Sequence, residues 1–156
     1  CLSLILRQQP VASDLRQVST ALKVVTDLER IGDHASDIAE LILRIKSEHA
    51  YHIVKHLPVM AASANAMVHD AIEAFINQDL DSAMEIIERD DEVDTLFNQV
   101  KDDVIHLLKS SPDQADQGID LLMVAKYLER IGDHAVNVCE WTQFSKTGAL
   151  KNVRIM

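Results

Sequence analysis

An eight-residue string, Leu28-Glu29-Arg30-Ile31-Gly32-Asp33-His34-Ala35, returns unchanged as Leu128-Glu129-Arg130-Ile131-Gly132-Asp133-His134-Ala135, displaced by 100 residues. Identity that extends over charged, apolar and glycine positions alike is not a product of composition. Internal repetition fixes architecture before any other feature of a chain does. The sequence therefore reads as two copies of one structural unit, and whatever the octet does it does twice.

Both copies sit in apolar patterns with spacings of three and four, from Val24 to Ile45 and from Leu121 to Val138, with no Pro or turn cluster inside. That pattern predicts long helices. With Glu29 at zero on a wheel of about 100° per residue, Asp33 falls near 40°, Asp37 near 80° and Glu40 near 20°. Val24, Leu28, Ile31, Ala35, Ile38 and Ile42 gather between roughly 180° and 260°. The carboxylates are thus expected to form a surface stripe opposite the apolar face. The second copy repeats it with Glu129, Asp133 and Glu140, and places Asn137 where the first has Asp37.

Such a stripe is unfavourable on its own. Like charges at i and i+4 cost a few tenths of a kcal/mol per pair, roughly, and a mid-helix Gly costs about 1 kcal/mol relative to Ala. A Gly in that position admits close approach by a neighbour. A ladder of oxygens can hold hard or borderline cations if a second helix adds ligands. A solvated acidic face is the bland reading of one such helix, and duplication favours the cation.

The 156-residue length suits one domain or two small ones, and 47% apolar residues suffice for a core. Four Gly, three Pro and few aromatics point to an all-α protein. A net charge of −10 argues against nucleic acid and against an anionic membrane as the main partner; cations and basic protein surfaces are the natural ones. No apolar run approaches the roughly 18 residues of a membrane span, and no signal peptide is visible. Cys1 and Cys139 build no disulfide framework, which makes the cytoplasm the default compartment.

In chain order, Cys1 to Arg7 resembles the tail of a helix, and Pro10 to Asp14 restarts the chain with Ser13 as N-cap. A helix to about Lys46 follows. Ser47 to His56 carries His49, His52 and His56, which would share a helical face and could bind zinc; a plain connection is preferred, since no Cys or carboxylate completes the set. Helices are then expected over Leu57 to Gln78, Leu80 to Lys109 and Asp113 to Phe144. Pro10 corresponds to Pro112, yet two long helices precede Pro112 and only nine residues precede Pro10. This asymmetry is read as an N-terminal truncation, a longer form carrying two more helices upstream.

Asp90 and Asp94 lie one turn apart on the helix before the second octet. Antiparallel packing across the Ser110-Ser111 turn would bring them level with Glu129, Asp133 and Asn137. His34 and His134 fall near 140° on the wheel and Arg30 and Arg130 near 100°, roughly, so the histidines are read as border residues and the arginines as carboxylate partners.

The duplicated octet, the Asp90-xxx-Asp94 pair and the stretch Pro10-Val11-Ala12-Ser13-Asp14-Leu15-Arg16 resemble the phosphate-uptake regulator family, PhoU, over most of the chain from Cys1 to about Trp141. The resemblance implies tandem three-helix bundles, the first incomplete here: 1–48 the remainder of the first bundle, 49–156 the second. It implies metal ligands at Glu29, Asp33 and Asp37 in the first, and at Asp90, Asp94, Glu129, Asp133 and Asn137 in the second. Asn137 lacks the usual charge, and the first cluster lacks the helix that supplies its other half. Iron or zinc is the implied metal, with magnesium or manganese as alternatives. The implied role is a non-enzymatic negative regulator of phosphate-starvation signalling and transcription, coupling a phosphate ABC transporter ATPase to a sensor histidine kinase. A homodimer or higher oligomer is expected, because the helix from Ser13 to Lys46 has lost its bundle partners. Two rivals stand beside this. A di-iron oxidase bundle would carry inward Glu-x-x-His motifs, which the sequence lacks; a helical scaffold would bind no metal.

Overall fold

The apolar residues of the chain recur at three and four throughout, and the structure, a computed structural model describing residues 12–46 and 48–147, is helical accordingly. Its elements are α1 (Ala12–Arg44), α2 (Glu48–Ile53), α3 (Leu57–Asn77), α4 (Leu80–Glu88), α5 (Asp90–Ser110), a 3-10 turn (Pro112–Gln114) and α6 (Ala115–Thr147). No strand occurs among the described residues. The apolar start of the chain and the side chain of Ser13 lie outside them.

α6 is the hub, with α1, α3, α4 and α5 all packed on it. α3 contributes Met60, Ala64, Met67, Ala71 and Ala74, and α5 contributes Val93, Leu96, Val100, Val104 and Leu107, all buried. These are the alternating three- and four-residue steps of a helical-bundle seam. The alanines let α3 lie close to α6. Being surrounded, α6 buries residues on nearly every side, including Leu121, Ala125, Gly132, Ala135, Val138, Glu140 and Thr142.

Local chemistry sets the connections. Asp79 caps α4, accepting from the Ser82 amide at 3.1 Å, and Gln78 before it turns the chain with φ 53°. Pro58 stands in the first turn of α3, where its missing N–H costs nothing. The single helix expected over Leu80 to Lys109 is broken at Arg89. A new helix starts at Asp90-Asp91-Glu92, where three acidic side chains meet the positive end of a helix dipole. The connection expected over Ser47 to His56 contains the short helix α2. Its histidines do not converge: His49 Nε2 lies 3.2 Å from Ser111 Oγ, while His56 Nδ1 lies 2.6 Å from Asp103 Oδ2.

The apolar face of α1 lies against the same core. Val18 and Val24 are buried, and Leu28, Ile31, Ile38 and Leu41 are half-buried beside them. α6 thus covers much of the face from which an oligomer was expected, leaving Ile42 of that face exposed, while Leu15, Leu22, Val25 and Leu43 are exposed on the other side of α1. The division expected at residue 48 follows the repeat, while the core itself runs across it from Val24 and Ile45 to Ala50 and Val54.

Two substitutions separate packing from propensity. Met67, fully buried, when cut to Ala should lower the free energy of unfolding by about 2–5 kcal/mol. A Cβ added at Gly32 would meet nothing within 4 Å, so Gly32→Ala should raise stability by up to about 1 kcal/mol through helix propensity alone. Urea denaturation of the two variants checks both signs.

Candidate carboxylate shelf

The acidic start of α5 places Asp90 and, one turn on, Asp94 on a single face, and α6 runs antiparallel to it. The direction follows from two glycines: Gly118 faces Leu107 and Val104, while Gly132 faces Val93 and Asp90. A Cβ at Gly132 would stand 3.7 Å from Val93 Cγ1 and 3.8 Å from Asp90 Oδ1. Alanine would therefore just fit, and any longer side chain would push into Asp90. The close approach expected of the mid-helix glycines is realised at Gly132. At Gly32 it is not.

Asp90, Asp94, Glu129 and Asp133 share one electrostatic neighbourhood. Burial, followed by the charges of Asp94, Asp133, Asp91 and Glu129, pushes the Asp90 carboxyl up to about 6. Burial and the charges of Glu129 and Asp91 raise Asp94, opposed by Lys126. Asp90 Oδ1 is buried with no hydrogen-bond partner, which is costly for a carboxylate oxygen. Lys126 Nζ lies 2.6 Å from Glu129 Oε1 and 5.4 Å from the centre of the Phe97 ring. The donor set is all oxygen, with one oxygen unserved by protein, and suits a hard cation. The oxygens are not drawn together around a point. Among the described residues, the one group of three His, Cys or acidic side chains with ligand atoms within 4.8 Å of one another is His69, Asp70 and Glu73. Like-charged carboxylates without a cation between them stand apart.

The wheel placed both stripes outward, and this holds for copy one alone. Glu29 and Asp33 are exposed and Asp37 is half-buried on α1. On α6, Glu140 is 8% exposed, and Glu129 and Asp133 are half-buried, because α6 has neighbours all around it.

Asn137 is the residue placed elsewhere. Its amide nitrogen stands 3.4 Å from Asp27 Oδ1, on α1, and so serves the α1–α6 interface instead of the shelf. His134 Nδ1 lies 2.9 Å from the same oxygen. Asp27 sits two residues before Glu29, near 160° on the wheel, roughly, at the edge of the apolar face. That position was the available signal for a buried, paired carboxylate. His34 and His134 are border residues, as read, and they also stack on each other with ring centres 5.5 Å apart. The two octets thus meet through their histidines. Burial, then His134 and Arg130, lowers the His34 pKa. Arg130, expected beside a carboxylate, lies 5.8 Å from the centre of the Tyr127 ring.

The His69, Asp70, Glu73 group escaped the sequence reading, though its i, i+1, i+4 spacing on α3 was visible. Asp70 is taken by Arg89, at 2.8 Å, whose hydrogen bond holds its carboxyl below the usual range. That pair ties α3 to the α4–α5 junction next to Asp90.

A family model described as the PhoU domain matches residues 1–42 and 57–142. A phosphate-specific transport system accessory protein PhoU homolog of Clostridium acetobutylicum is 43% identical over 93% of this chain and 67% of its own length. The corresponding Borreliella burgdorferi protein is 31% identical over 98% of this chain and 71% of its own. The crystal structure of PhoU from Pseudomonas aeruginosa superposes with a TM-score of 0.86 at 31% identity, over 96% of this chain and 72% of that one. That of the phosphate transport system regulatory protein PhoU from Streptococcus pneumoniae gives 0.81 at 30%, over 97% and 70%. The chain spans about two thirds of the length of these relatives. Duplicated octet, helical architecture and family match agree: the chain belongs to the PhoU domain family.

Proposed function

We propose that this chain is a metal-binding regulatory adaptor of bacterial phosphate homeostasis, a negative regulator that couples a phosphate ABC transporter to a sensor histidine kinase. The transport role is supported by the names of its relatives. The metal role is carried by one observation, the approach of Asp90 and Asp94 on α5 to Glu129 and Asp133 on α6 around an unpartnered Asp90 oxygen. A divalent cation there would cancel charge that the helices otherwise hold against repulsion. Oxygen ligands suit iron, manganese or magnesium and admit zinc. Glu29, Asp33 and Asp37 form the second proposed ladder, on α1, with Glu29 and Asp33 exposed and Asp37 half-buried.

The adaptor works by docking. A net charge of −10 favours basic partner surfaces, and among the described residues no helix is long and apolar enough to cross a membrane. A cytoplasmic setting is part of the same proposal, and so is self-association through Leu15, Leu22, Val25 and Leu43. The Cys139 thiol, pushed up to about 12 chiefly by burial, packs and does not react.

Titration of chelator-stripped protein with iron(II), manganese or zinc should show binding that Asp133→Ala weakens at least tenfold, the usual scale for losing a ligand or its support. Equal binding by both proteins would eliminate the metal role. A second outcome follows from the Asp90 carboxyl. The folded protein holds this proton up to pH of about 6, whereas an unfolded chain releases it near 3.9, roughly. Over that window the folded state binds more protons, so metal-free stability should fall as pH rises. Bound metal should reverse the slope, because cation and proton compete for the same oxygens. Thermal unfolding across pH in chelator and in excess metal reads both, and Asp90→Asn should flatten the metal-free curve.

A further inference from the structure

A positive charge stands at the edge of the shelf. Lys126 sits one turn before Glu129 on α6, its Nζ 2.6 Å from Glu129 Oε1, and its ammonium also approaches the Phe97 ring on α5, at 5.4 Å. Phe97 is three residues beyond Asp94, so the ammonium spans the end of the shelf where α5 and α6 face each other. The lysine side chain is 42% exposed and that of Glu129 18%: the cation lies toward solvent and the anion inward. A four-carbon stem with an exposed head can swing without disturbing the core, and the Phe97 face offers it a resting place beside the shelf.

We infer that Lys126 is the resident counter-ion of the shelf, holding Glu129 when no metal is bound and yielding it to an incoming divalent cation, so that this side chain sets the concentration at which the shelf loads. The inference rests on the shelf reading proposed above. It draws support from the repeat. The position 100 residues earlier is Thr26, whose hydroxyl donates to the Leu22 carbonyl at 3.0 Å and offers Glu29 no charge. The ammonium belongs to the copy whose carboxylates are half-buried, where an uncompensated charge costs more. It also weakens the upward push on Asp94.

The test is a manganese(II) titration of the chelator-stripped chain, read by the electron paramagnetic resonance of free Mn2+, on wild type, Lys126→Met, Lys126→Gln, Lys126→Arg and Asp90→Asn. Removing a positive charge a few ångströms from a divalent ion should tighten binding about tenfold or more in the Met and Gln variants. The Arg variant, which keeps the charge and can grip Glu129 with two donors, should bind at or below the wild-type level. Thermal unfolding should show Lys126→Met less stable than wild type without metal and gaining more from added Mn2+. A lysine that only packs would lower both states equally and leave affinity unchanged. If Asp90→Asn abolishes binding while the Met and Gln variants bind like wild type, the shelf stands and the role of Lys126 is overturned. If Asp90→Asn binds as tightly as wild type, the shelf itself fails, and this inference with it.

Discussion

Repulsion among four carboxylates is held in place here by the burial of the helices that carry them. α5 and α6 are fixed in one core, to which α5 brings Val93, Leu96, Val100, Val104 and Leu107 and α6 brings Leu121, Val124, Leu128, Ile131 and Ala135, and whose burial is worth roughly 1.5–3 kcal/mol per large side chain. The electrostatic cost of Asp90, Asp94, Glu129 and Asp133 is of similar order per pair at most. The apolar seam therefore wins, and the acids cannot move apart by more than side-chain rotation. Carboxylates buried and forced near each other in this way hold protons more tightly, as Asp90 does, or take a cation.

The same octet behaves differently in its two settings, which shows how little of a site resides in its motif. In α1 Glu29 and Asp33 face solvent and nothing stands within 4 Å of a Cβ at Gly32. In α6 the identical string lies beside Asp90 and Val93, and Gly132 leaves room for them. Eight shared residues give one exposed ladder and one half-buried shelf. What differs is the neighbour.

Repeat, helix type and the α5–α6 hairpin were legible because they depend on spacing, which a sequence displays directly. Matched distances on either side of Pro112 were enough to bring Asp90 and Asp94 level with Glu129 and Asp133. The features that escaped depend on which helix surrounds which. A wheel assigns one buried face to every helix, and α6 has several, so Glu140 was placed at the surface and is buried. Asn137 was counted with the shelf because its angle matched that of Asp37, but α1 lies on that side and Asp27 takes its amide. The break at Arg89 was hidden in a run of charged residues that reads as helix throughout.

The two copies also divide charge differently, and the division follows their surroundings. Copy one carries four carboxylates, Glu29, Asp33, Asp37 and Glu40, on a single helix that water reaches. Copy two keeps three of these, as Glu129, Asp133 and Glu140, replaces Asp37 by Asn137 and adds the ammonium of Lys126. The ladder of α6 thus carries less net negative charge than that of α1, as suits a helix enclosed by four others. The remaining negative charge comes from Asp90 and Asp94, at the N-terminal end of α5, where the helix dipole stabilises it. The shelf is completed by acids from the start of the neighbouring helix, where Asp90 is half-buried and Asp94 exposed.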